Sequence, residues 1–124
     1  MKTISFNSIS KESALKADPV ITHNYYPIEG DDEVYIECKY FTNMDTSKYL
    51  KVDSEGAEWN LRKVINDKVV AIHGIEVEFE DGTAPLTKEM LCTLPFDSFL
   101  TGLAQKIFYH LLDTSRLTEE EEKN

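Results

Sequence analysis

Glu33-Val34-Tyr35-Ile36-Glu37-Cys38-Lys39-Tyr40-Phe41 alternates inward and outward side chains without a break. Val34, Ile36, Cys38 and Tyr40 share one face of an extended chain, while Glu33, Tyr35, Glu37 and Lys39 share the other. That is the pattern of a half-buried antiparallel strand. The dry face needs a covering layer, so the neighbouring segments decide the fold. Downstream, Thr42 to Ser47 is rich in Thr, Asn, Asp and Ser, whose side-chain oxygens accept from backbone donors at turns and helix starts. The chain is expected to turn there.

From Glu55 or Ala57 to Ile72, the residues Ala57, Leu61, Val64, Ile65, Val69 and Ile72 fall in one stripe at 3.6 residues per turn, and His73-Gly74 supplies a stop. The spacing predicts an amphipathic helix. Trp59 and Val70 lie off that stripe and either meet a second packed element or face a partner. Ile75, Val77 and Phe79 then alternate with Glu76, Glu78 and Glu80 before Asp81-Gly82, which predicts a strand ending in a tight turn. Thr87 is placed to cap a short helix over 88–93. After Pro95, expected in the first turn of the last helix, Phe96, Phe99, Leu100, Leu103, Ala104, Ile107, Phe108, Leu111 and Leu112 follow helical spacing up to Asp113. This stripe is too wide to stay wet and must be buried in the chain or against another protein.

The first 32 residues are harder to read. Ile4 and Phe6 alternate with Thr3 and Ser5, and Val20 to Tyr26 holds β-formers stopped by Pro27, so two short strands are expected. Ser10 to Ala17 is one helical turn or a loop. At the other end, Glu119 to Glu122 has no apolar neighbour to bury, and 118–124 is expected to be a frayed acidic tail on a single domain of residues 1–117. The fold class expected is α+β: a small antiparallel sheet from 34–41, 75–80 and an N-terminal strand, packed against helices near 57–72 and 96–113.

Composition narrows function by exclusion. The chain has 124 residues, 13 Lys plus Arg against 23 Asp plus Glu, and a net charge of −10. Such a balance opposes phosphate-based nucleic-acid binding and adhesion to anionic lipid. No apolar run reaches the roughly 18 residues of a spanning helix, and Met1 to Phe6 lacks the apolar block of a signal peptide, so a cytoplasmic protein is expected. Cys38 and Cys92 are far apart and lack a CxxC context, as expected of reduced thiols. His23, His73 and His110 have no helical mate or Cys/His spacing that would collect a metal. Neither a GxSxG turn nor a phosphate-cradling glycine loop occurs. Carboxylates are too plentiful for any acid/base pair to stand out, so no enzyme, cofactor or metal is expected.

The order of motifs from Glu33 to Leu112 resembles the small tail assembly chaperones of long-tailed, siphovirus-like bacteriophages and prophages. The resemblance runs through the strand and polar turn, the Trp-containing segment, Gly74-Ile75-Glu76, the Glu80-Asp81-Gly82 hairpin, Pro85-Leu86-Thr87, Met90-Leu91, and Leu94-Pro95-Phe96 opening the terminal helix. It implies a non-catalytic protein of the host bacterial cytoplasm. Such a protein binds the long tape measure protein, with the tail tube protein as a second partner, and keeps it soluble during tail assembly. It also implies Trp59, Phe96, Phe99 and Phe108 as partner contacts, although the chain's own core competes for them and is expected to take at least two of the three Phe. A longer frameshifted form is a further expectation of the resemblance. The alternatives are another small head or tail component, an acidic DNA mimic that blocks a basic protein, and a secretion-type chaperone.

Overall fold

The computed structural model describes residues 1–7, 9–17 and 20–123, with side chains in the last helix as far as residue 114. In chain order the elements are α1 (Lys11–Ala14), β1 (Thr22–Tyr25), β2 (Tyr35–Lys39), α2 (Asp45–Tyr49), β3 (Leu50–Asp53), β4 (Gly56–Trp59), α3 (Leu61–Lys68), β5 (Val69–His73), β6 (Glu76–Phe79), β7 (Gly82–Pro85), α4 (Lys88–Thr93) and α5 (Ser98–Lys123). The architecture is α+β, as the pattern of the sequence requires.

The alternating segment at 33–41 forms the centre of the molecule. β2 is the middle strand of an antiparallel sheet ordered β1-β2-β5, with His23 opposite Cys38 and Ile36 opposite Ile72. Val34, Ile36 and Cys38 are buried on the inner face. On the outer face Tyr35 stacks on His73 at 4.4 Å and meets Tyr26 at 5.7 Å, so three rings cover part of what would otherwise be wet surface. The core joins Ile36, Cys38 and Val69 from the sheet to Tyr49, Val64, Ile65, Leu86 and the α5 stripe Leu103, Ile107 and Leu111. A sheet face covered by helices removes both apolar surfaces from water at once.

The helix expected over 57–72 is corrected to a strand, a helix and a strand. The Asn60 side chain accepts from the Lys63 amide at 3.1 Å and starts the helix at Leu61. Residues 56–59 therefore stay extended and pair with β3, with Leu50 opposite Trp59. At the far end, Val69 and Val70 have branched side chains that suit a pleated sheet, and the third place beside β2 is open to them. Five of the six stripe positions do turn towards the protein, but two of these do so as strand residues; Ala57 is exposed.

That change displaces another expectation. β5 takes the place beside β2, and the strand at 75–80 does not join that sheet. β6 pairs with β7 in a separate hairpin closed at Phe79 and Gly82. The reversal before it depends on Gly74, whose φ of +84° lets the chain pass so close to Glu33 that a Cβ would strike the Glu33 carbonyl.

The N-terminal strand expected at 20–26 exists as β1, and α1 is the single turn allowed for Ser10 to Ala17. The other expected strand does not form: Ile4 and Phe6 lie in irregular chain and are exposed. Thr87 caps α4 through its hydroxyl, which accepts from the Met90 amide at 3.1 Å. Pro95, however, is not in the first turn of α5. The Asp97 carboxylate accepts from the Leu100 amide at 3.0 Å, and its carbonyl accepts from the Thr101 amide at 2.9 Å, so the helix starts at Ser98. Phe96 is left outside it. The tail expected at 118–124 lies outside the residues whose side chains are described.

Candidate partner-binding surface

Two of the four expected contact residues belong to an aromatic cluster at the edge of the core. Trp59 lies against Phe108 in edge geometry with ring centroids 5.4 Å apart, and Phe41 stacks on Trp59 at 6.1 Å. Trp59 and Phe108 are half-buried there and pack on the core from β4 and α5. The off-stripe position of Trp59 reflects its place on a strand.

The other two are open to solvent. Phe96 is 85% exposed and Phe99 50% exposed, so only one of the three Phe lies in the core and the expectation of two is corrected. The cause is local. Phe96 directly precedes the N-cap residue, a position that often packs on the fourth helical residue, but that residue here is the polar Thr101. α4 ends at Leu94, whose amide donates to the Met90 carbonyl at 2.9 Å, and the Pro95-Phe96-Asp97 link carries the ring outward before α5 begins. Beside Phe96 lies an open groove of ≈ 220 Å³, lined by apolar side chains of α3, α4, α5 and the link, Leu61, Leu91, Leu94 and Leu100 among them, and by the polar Asp97, Thr101 and Gln105. Its walls belong to capped helices that pack on one another, so the apolar surface is presented on a fixed frame.

A buried ion pair holds the other side of the helical layer. Lys68 Nζ lies 2.6 Å from the Asp45 carboxylate, with the two side chains 10% and 12% exposed. Lys68 also donates to the Tyr40 carbonyl at 3.1 Å and sits 5.9 Å from the ring centres of Phe41 and Tyr49. Burial alone would raise the Asp45 carboxyl, but its bonds to Lys68 and to the Thr42 amide hold it below the ordinary carboxylate range. Next to it the Tyr49 hydroxyl donates to Asp67 at 2.8 Å, and burial together with that carboxylate raises the phenol. These groups fix α2 on α3 beneath the aromatic cluster. Sequence reading passed over Lys68, although it falls three and four residues after Ile65 and Val64 on the apolar side of α3.

The fold also joins two histidines with no sequence relation. His23 of β1 and His110 of α5 stand with their Nε2 atoms 2.6 Å apart. Among the described residues, no group of three or more His, Cys, Asp or Glu side chains is placed to hold a metal ion. The acidic hairpin exposes Glu76, Glu78, Glu80 and Asp81, while Val77 turns inward. No helix among the described residues is long and apolar enough to cross a membrane. No protein-family model matches the chain, and neither the curated proteins nor the solved structures yield a match.

Proposed function

We propose that this protein is a non-catalytic tail assembly chaperone of a long-tailed phage or prophage, working in the host bacterial cytoplasm. It binds an apolar helical stretch of the tape measure protein and keeps it soluble until tail tube subunits surround it. The observation that carries this reading is the exposed Phe96 ring beside a largely apolar groove on a helical frame, with the Phe99 ring exposed on the first turn of α5. A helix laid in such a groove buries its own apolar stripe, which is the usual way one protein shields another's amphipathic segment. Net charge of −10 on so small a chain keeps the complex dispersed by like-charge repulsion. Trp59 and Phe108 support the frame, and Phe96 and Phe99 make the contact.

The test is co-expression with the product of the longest reading frame neighbouring this chain's gene, which this reading makes the tape measure protein. The wild-type chain should carry that protein into the soluble fraction and copurify with it, whereas Phe96→Ser/Phe99→Ser, still folded, should lose both. Equal recovery with the double variant would overturn the assignment of the contact. Finding the chain as a stoichiometric component of purified particles would favour a structural tail or head protein instead. Binding to a basic protein that vanishes when Glu76, Glu78 and Asp81 are neutralised would favour the DNA-mimic reading.

A further inference from the structure

We infer that His23 and His110 form a proton-sensitive latch: one shared hydrogen bond fastens β1 to α5, and acidification opens it and loosens the N-terminal strand from the body of the protein. The two residues are 87 positions apart in sequence, and their Nε2 atoms are 2.6 Å apart. Two neutral imidazoles make one N–H···N bond, with one ring donating and the other accepting. A proton added to the accepting Nε2 destroys that bond and sets two N–H groups face to face. A proton added to His23 Nδ1 creates charge at a buried atom that has no hydrogen-bond partner among the described residues. With His23 as donor, the tautomer that leaves its buried Nδ1 a bare lone pair and not an unpaired N–H, both routes penalise the charged state while the latch is closed.

The surroundings offer little compensation. From β1, the Tyr25 ring stacks on His110 at 4.2 Å. From β2, the Tyr40 ring lies 4.2 Å from His23, and the Cys38 thiol, opposite His23 in the strand pair, is itself buried and pushed up to about 12. Glu37 and Lys39 are on the other face of β2. On α5 the exposed Asp113 favours a charged His110, but burial outweighs it and lowers that ring. His23 is lowered to about 4, first by burial and then by His110. Both shifts favour the neutral form in the closed state. The latch is therefore firm above the ordinary histidine value of about 6.5 and weakens as pH falls from there towards about 4. Opening it matters because β1 is an edge strand, and none of the described residues before it, α1 included, belongs to the core.

Histidine-ring NMR titration of the full chain, with hydrogen exchange of the β1 amides, tests this. The His23 and His110 rings should both titrate below the ordinary value. After correction for intrinsic exchange, the β1 amides should open about tenfold more often near pH 5 than near pH 7, relative to those of α3. In His110→Gln, which keeps a hydrogen-bonding side chain without a titrating group, this β1-specific acid response should shrink severalfold. Ordinary titration of both rings, or an unchanged acid response in His110→Gln, would overturn the latch. If that variant does not fold, the wild-type ring titration alone decides.

Discussion

Replacing Asp45 by Asn isolates the most consequential buried charge in the fold. The change keeps the size of the side chain and leaves an oxygen to accept from the Thr42 amide, now 2.6 Å from the carboxylate. The same oxygen also faces Lys68 Nζ at 2.6 Å, so the substitution leaves the Lys68 ammonium, about nine-tenths buried, opposite a neutral amide oxygen, the Tyr40 carbonyl and the faces of two rings, with its compensating negative charge removed. Removing one partner of a buried pair costs about 3 kcal/mol, because the survivor keeps its desolvation penalty. With a melting entropy near 2.1 cal/mol/K per residue over 124 residues, about 0.26 kcal/mol/K in all, that loss lowers the melting temperature by roughly 11 °C. Differential scanning calorimetry at neutral pH measures it directly. Lys48→Gln is the internal control: its bridge to Asp67 joins side chains 52% and 28% exposed and the change leaves the Tyr49–Asp67 hydrogen bond in place, so it should cost less than about 1 kcal/mol. Adding Lys68→Met to Asp45→Asn should recover much of the loss, since the stranded charge goes with it. A loss below about 1 kcal/mol for Asp45→Asn, or no recovery in the double variant, would refute the claim that this pair is a dry, coupled unit.

Other outcomes follow from the same geometry. Phe108→Ala should cost about 3 kcal/mol in urea denaturation, because its ring packs in edge contact with both Trp59 and Phe41, whereas Phe96→Ser should change stability by less than about 0.5 kcal/mol. Gly74→Ala should cost at least about 2 kcal/mol in the same assay, since it meets both a left-handed backbone and the Glu33 carbonyl. A thiol reagent applied to the native protein should modify Cys92 and leave buried Cys38 untouched until the chain unfolds, with mass spectrometry identifying the site. Below the ordinary carboxylate range stability should fall further, because Asp45 is held ionised in the folded state and its contribution is lost as pH drops through its lowered value.

The sequence was most legible where one periodicity ran unbroken and local chemistry agreed with it. The period-two alternation of 33–41 identifies the central strand, and the spacing of Leu100, Leu103, Ile107 and Leu111 identifies the buried face of α5. It misled between Ala57 and Ile72, where six apolar residues happen to fit a helical stripe across three elements. Asn60 as a cap and the Val69-Val70 pair were the local signals against one long helix, but the pairing partner of β5 is decided by tertiary structure. The candidate surface was legible in kind and not in detail. Phe96 continues the stripe arithmetically, yet Asp97 is the better cap and leaves the ring outside the helix. The His23–His110 and Asp45–Lys68 contacts join distant elements, and no local spacing encodes either.

A photo-crosslinking amino acid placed at position 96, with the tape measure protein co-expressed, tests the central claim most directly. The account predicts a crosslinked product that mass spectrometry maps to an apolar helical segment of the tape measure protein. The same probe at Val52, exposed on β3 away from the groove, should give none. Equal crosslinking from both positions, or a soluble copurified complex with no adduct at position 96, would contradict it.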